Sequence, residues 1–268
     1  MVARSKSFSF LFLVIASITC LWTGCSSSQN KYLTKEGWSR TITDPAGAII
    51  RMDTSQPFIY LIFSGHDHNE GREKVLNTLT DRNIQASFFF TGDFYRNPDN
   101  KEFIEALIRD DHYLGAHSDK HLLYTDWIHR DSTLVSRDSF ETDLVANYRS
   151  MKSLFGIPRK QARVFLPPYE WYNQEIVQWT TSMGFTLINL SPGPGTARDY
   201  TWPQMGQRYT PSKTIISDLM NYESEHTLHG HILLIHLGTD PRRPDKLYDQ
   251  LGQILDDLAG RGYGFRRF

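Results

Sequence analysis

Past residue 56, short apolar runs recur along the chain, separated by stretches in which apolar positions fall at helical spacing. The runs cover 58–63 (FIYLIF), 86–91 (ASFFFT), 113–117 (YLGAH), 163–166 (RVFL), 185–190 (FTLINL), 232–236 (ILLIH) and 263–268 (YGFRRF). Rich in β-branched and aromatic residues, each predicts a strand. The intervening periodicity predicts helices over 74–82, 101–110, 140–155, 174–183, 213–224 and 247–258. Strands alternating with helices indicate βαβ units and a parallel sheet. Seven strands are one short of an eight-stranded barrel of roughly 250 residues. The expected fold is therefore α/β, a distorted seven-stranded (β/α) barrel, with an open doubly wound sheet as the alternative.

The first residues follow a different pattern. Arg4 and Lys6 precede a mostly apolar stretch over 8–21, too short to span a bilayer comfortably. It ends at Trp22-Thr23-Gly24-Cys25, followed by Ser26, Ser27 and Ser28. Small residues before a Cys and a polar tether after it are expected of an export signal cleaved to leave Cys25 lipidated. The expected division is a lipoprotein signal peptide at 1–24, a tether and irregular lead-in at 25–55, and the barrel at 56–268. That division places the protein at the cell envelope, lipid-anchored, facing the periplasm or the outer surface. Of the two cysteines, Cys20 lies inside the signal and Cys25 at its end, so the barrel holds no disulfide and no thiolate ligand.

A net charge of -1 argues against a nucleic-acid partner, which would call for a basic face. Apolar content of 40% is enough for a substantial core. The aromatic content of 13% suits that core and also a surface on which sugar rings stack.

Active sites of parallel barrels sit at the C-terminal ends of the strands. That rule sorts nine of the 10 histidines. His66 and His68 flank Asp67 after the first strand, His117 and His121 follow the third, and His236 closes the sixth. Glu170 follows the fourth, beyond Pro167-Pro168-Tyr169. His112, His226, His229 and His231 precede strands and read as structural or exposed. With cysteine excluded, any metal in this mouth must be held by imidazoles and carboxylates.

His117-Ser118-Asp119-Lys120-His121 is similar to the H-[ST]-x-x-H metal motif of the polysaccharide deacetylase family, the NodB-homology or carbohydrate esterase family 4 enzymes. The resemblance extends over residues 58–268. Ala86-Ser87-Phe88-Phe89-Phe90-Thr91-Gly92 resembles the family's second strand, and Phe165-Leu166-Pro167-Pro168-Tyr169 its F-R-P-P-Y groove motif. Leu234-Ile235-His236 resembles L-x-H, and Gly262-Tyr263-Gly264-Phe265 the closing G-Y-x-F strand. The resemblance implies hydrolytic removal of acetyl groups from a polysaccharide or oligosaccharide. It also implies a divalent ion, zinc first, with cobalt, nickel or manganese as alternatives. His117 and His121 would be ligands, His236 the general acid, and Leu234 a wall of the acetyl pocket.

The sequence departs from the family at two places. Where the family carries F-D-D-G, this chain has Phe63-Ser64-Gly65-His66-Asp67-His68, and Leu166 replaces the Arg that orients the base. Asp67 is then the expected third ligand, and His66 or Glu170 the expected base. Tyr169, Trp171 and Asp199 are expected to line the sugar groove. A glycan-binding protein on an impaired barrel is the competing expectation.

Overall fold

The computed structural model describes Met1, Trp38 and residues 40–268. The chain divides into two compact units, Met1–Lys31 and Tyr32–Phe268, and every strand and helix named below belongs to the second. Cys25 and the apolar stretch before it lie outside the described residues. Among those described, no helix is long and apolar enough to cross a membrane.

All seven expected strands form, as β3 (Phe58–Gly65), β4 (Ser87–Phe90), β5 (Tyr113–Ala116), β6 (Val164–Phe165), β7 (Thr186–Leu187), β8 (Ile232–His236) and β9 (Gly264–Arg266). They make one parallel sheet in the order β7-β6-β5-β4-β3-β8, with β9 also paired to β3. Tyr60 pairs with Ile232 on one side and Arg266 on the other, which puts β9 on the flank that β4 occupies further along β3.

Two strands absent from the expectation precede these, the antiparallel pair β1 (Ile42–Thr43) and β2 (Ile49–Arg51). Ile49 bridges to Ile188 beyond β7, and Arg51 bridges to His231 before β8. The Ser191 amide donates to the Ile232 carbonyl. These links join the two edges of the curled sheet and give the distorted seven-stranded barrel that was expected. Residues 40–55 are thus tied to the barrel, with Ala48 and Met52 fully buried.

The apolar runs lack polar alternation because both faces of the sheet are covered. Ile59, Leu61 and Phe63 face the outer layer with Phe88 and Phe90, whereas Tyr60, Ile62 and Phe89 fill the barrel interior. The outer layer is supplied by α1 (Arg72–Asp81), α2 (Gly92–Arg96), α3 (Lys101–Arg109), α4 (Arg137–Phe155), α5 (Gln174–Ser182), α6 (Ser212–His226) and α7 (Leu251–Gly260). The long α4 begins where Ser136 accepts the Ser139 amide and ends at Gly156, whose φ of 68° suits a residue without Cβ.

At the start of α5, Asn173 accepts the Ile176 amide at 3.1 Å and donates to Thr133 at 2.8 Å. Loss of such a cap costs about 1 kcal/mol, which in a domain this size lowers Tm by about 2–4 °C. Asn173→Ala is expected to show that drop in thermal denaturation followed by circular dichroism; an unchanged Tm would contradict the assignment.

Candidate active site

The C-terminal ends of β3, β5, β6 and β8 open into a cleft of about 450 Å³. His66, Asp67, His68, His117, His121, Glu170 and His236 all line it. By contrast His112 and His231, at the other end of the barrel, are buried, and the His112 ring accepts the Ala86 amide. The strand-end rule sorted the histidines correctly.

The turn after β5 is built by α4. Ser118 and His121 adopt left-handed backbone, at φ 70° and 54°. The buried Asp143 carboxylate holds that turn by accepting the Ser118 hydroxyl at 2.6 Å and the Asp119 and Lys120 amides at 2.9 Å. One helical turn on, Asn147 accepts the His117 amide at 3.0 Å. The ring of His117 is fixed by its Nδ1, which donates to the Leu166 carbonyl at 2.9 Å, leaving Nε2 for the cleft. Leu166 thus contributes its backbone, while its side chain fills the barrel interior. Tyr169 and Glu170 are also left-handed, at φ 59° and 53°. Such conformations cost about 1–3 kcal/mol where strained and gather at functional sites.

Burial drives the electrostatics. It holds His117 down to about 3 and His121 to about 2, and the neighbouring imidazoles push the same way. Both rings are neutral at physiological pH. Glu170 is driven up to about 7, mainly by burial and further by Asp199, against the pull of His236. His236 moves oppositely. Burial alone would lower it, but the charge and hydrogen bond of Asp199, with Glu170 beyond, raise it to about 9. Asp199 sits at the end of a short turn, fully buried; its carboxylate accepts His236 Nδ1–H at 2.5 Å and the His236 amide at 2.9 Å.

Two neutral imidazoles suit a divalent ion, but a third donor is not supplied. His66 stacks face to face on His121, at 4.4 Å between ring centres and 10° between planes. Asp67, the expected third ligand, has a largely exposed carboxylate that meets His66 Nε2 at 3.2 Å. A Cβ on Gly65 would come within 2.9 Å of the Phe90 ring and 3.0 Å of Phe94, so rings already occupy the space for a side chain there. Among the described residues, no three His, Cys, Asp or Glu are arranged to hold an ion. Of the expected zinc ligands, the structure brings His117 and His121 together, while Asp67 turns to His66 and to solvent.

Three groove expectations also change. Asp199 lies behind His236 rather than on the groove, because burial against that ring satisfies its charge. Leu234 is packed inside the barrel, two residues below His236 on β8. Trp171 is half-buried, with Nε1 donating to the Asp126 carbonyl at 3.0 Å and the Arg130 guanidinium 4.2 Å over its ring. The exposed indole at the cleft is Trp127, which packs 5.8 Å from Trp171. Tyr169 does line the cleft, 4.3 Å from His121. Asp143 and Asn147 had a readable signal, since both are polar at helical spacing on a stripe shared with Phe140, Leu144, Tyr148 and Met151.

Comparison with known proteins finds relatives of this fold. The family model for polysaccharide deacetylase matches residues 51–188. The peptidoglycan-N-acetylmuramic acid deacetylase PdaA of Bacillus subtilis is 25% identical over 218 residues, covering 80% of this chain and 71% of that protein. A chitooligosaccharide deacetylase of Sinorhizobium fredii is 20% identical over 224 residues, covering 81% and 92%. Among solved structures, a CE4 family pseudoenzyme from Bacillus anthracis superposes with a TM-score of 0.64 at 18% identity, over 83% of this chain and 68% of that one.

Proposed function

Because the chain belongs to the polysaccharide deacetylase family, we propose that it removes acetyl groups from a polysaccharide or oligosaccharide, with Glu170 as general base and His236 as general acid. One observation carries the reading. Glu170 and His236 line a single cleft, in which burial raises the carboxyl to about 7 and the Asp199 carboxylate raises the imidazole to about 9. Groups pushed to such values divide acid and base roles between them. Glu170 takes a proton from water as the water oxygen bonds to the acetyl carbonyl carbon. His236 then protonates the departing sugar nitrogen or oxygen as its bond to that carbon breaks. Acetate and a free amine or hydroxyl result. His66, the other candidate base, has Nδ1 bonded to Thr91 at 3.2 Å and Nε2 to Asp67, which leaves Glu170 the freer group.

The reading requires Glu170 ionised and His236 protonated together. Acetate release is expected to rise with pH through about 7 and to fall through about 9, measured on chitooligosaccharides, acetylated xylan and peptidoglycan. A profile flat across both limbs would contradict the pairing. The same proposal tethers the barrel to the cell envelope through lipid on Cys25. Cys25→Ser should then move the protein from the membrane to the soluble fraction, and unchanged fractionation would overturn the anchor.

A second reading, glycan binding without turnover, is favoured by β3 ending in Ser64 and Gly65, with no carboxylate and with Phe90 and Phe94 closing the space beside Gly65. It predicts saturable, chelator-insensitive binding with no acetate formed, and acetate release from any of the three glycans would exclude it.

A further inference from the structure

The loop between β5 and α4 holds an indole and an isoleucine side chain in water through its hydrogen bonds. The Asp126 carboxylate accepts the Ile128 and His129 amides at 2.8 Å each, and its own amide donates to the Ser132 carbonyl. Thr125 bridges to Thr133 across the turn, and Arg130 donates to the Tyr172 carbonyl at 2.6 Å. At the tip of this braced loop Trp127 is 54% exposed and Ile128 85%. A lone exposed apolar residue is ordinary. Here the exposed indole is continuous with the cleft, through a ladder of rings that runs from His121 to Tyr169 at 4.3 Å and from Tyr169 to Trp127 at 5.4 Å.

Resting on the glycan reading above, we infer that Trp127 is the platform for a second sugar, the neighbour of the one whose acetyl group enters the cleft. Trp127 lies two ring contacts out from His121, beyond a sugar seated over the imidazoles. An indole face is electron-rich, and the axial C–H bonds of a pyranose present the complementary apolar, weakly positive surface. The loop is already ordered, so little freedom is lost on binding. The occupant is thus an uncharged ring of the same glycan chain, and the cleft selects polymers over single sugars.

The test uses N-acetylchitooligosaccharides and acetylated xylooligosaccharides of one to six sugars, titrated calorimetrically against wild type, Trp127→Ala and Trp127→Phe, with kcat and KM measured in parallel. Trp127→Ala is expected to weaken binding of the longer oligomers about tenfold, the equivalent of one ring contact, with a larger rise in KM than fall in kcat for those oligomers and a much smaller effect on binding of the single sugar. Trp127→Phe should recover most of the loss. Wild type that binds longer oligomers no better than one sugar, or Trp127→Ala that binds them equally well, would overturn the platform while leaving the catalytic reading standing. Wild type that binds none of the series would overturn the platform, and the catalytic reading falls with it only if peptidoglycan too yields no acetate. Binding of the longer oligomers without acetate release would overturn the catalytic reading alone.

Discussion

Glu170→Gln is expected to lower acetate release by about 10²–10⁴-fold, the range that a positioned general base contributes. The substitution is nearly isosteric, and among the described residues no side chain hydrogen-bonds the Glu170 carboxylate, so the fold loses no polar contact there. Its backbone remains held by Asn189, which donates to the residue 170 carbonyl at 3.0 Å. Circular dichroism and oligosaccharide affinity should stay at wild-type values while turnover collapses. With the base gone, the acidic limb near 7 disappears from whatever activity remains. Activity within a few-fold of wild type would move the base elsewhere, and His66 is the next group to test.

Asp199→Asn addresses the other half of the pair. Asp199 is fully buried and spends both oxygens on His236. An amide keeps the shape but removes the charge that raises the imidazole to about 9 against its burial. The expected result is a loss of about 10²-fold or more in turnover near neutrality, because the neutral ring has no proton to give. The alkaline limb should also move to lower pH, since a lost opposite charge at this range favours the neutral form. An unchanged limb with reduced activity would mean that Asp199 only positions the ring. Unchanged activity would remove the pair from the mechanism.

The sequence made the barrel legible because a parallel sheet buried on both faces produces uninterrupted apolar runs, as in residues 58–63 and 86–91. Its closing strand was not legible. Ile49–Arg51 is three residues long and is held by the two-residue β1 and by single bridges to Ile188 and His231, contacts that no local pattern announces. The five-residue α2 is likewise too short to show a period.

Within the cleft, strand ends placed His66, His117, His121, Glu170 and His236 together, since barrel topology alone dictates where those ends lie. What sequence position does not carry is depth and partner. Leu234 shares the inward face with His236 but lies below it, and Asp199 meets a histidine 37 residues away. Trp127 and Trp171 are both aromatic loop residues. Only the hydrogen bond from Trp171 to Asp126 and the cover of Arg130 decide which one faces solvent. The third metal ligand was an inference from a shifted motif, and the sequence does not carry the stacking of His66 on His121, which leaves the Asp67 carboxylate largely exposed beside His66. The bend after Gly65 brings an imidazole face, rather than a carboxylate, to His121.

The most direct test of the Glu170–His236 pair is acetate release from chitooligosaccharides, acetylated xylan and peptidoglycan, followed from pH 6 to pH 10 for wild type and Glu170→Gln side by side. A wild-type maximum between about 7 and about 9 is expected on at least one of these glycans, with the variant lacking both the rate and the acidic limb. Binding of the glycans with no acetate at any pH, or a variant with the wild-type profile, would contradict it.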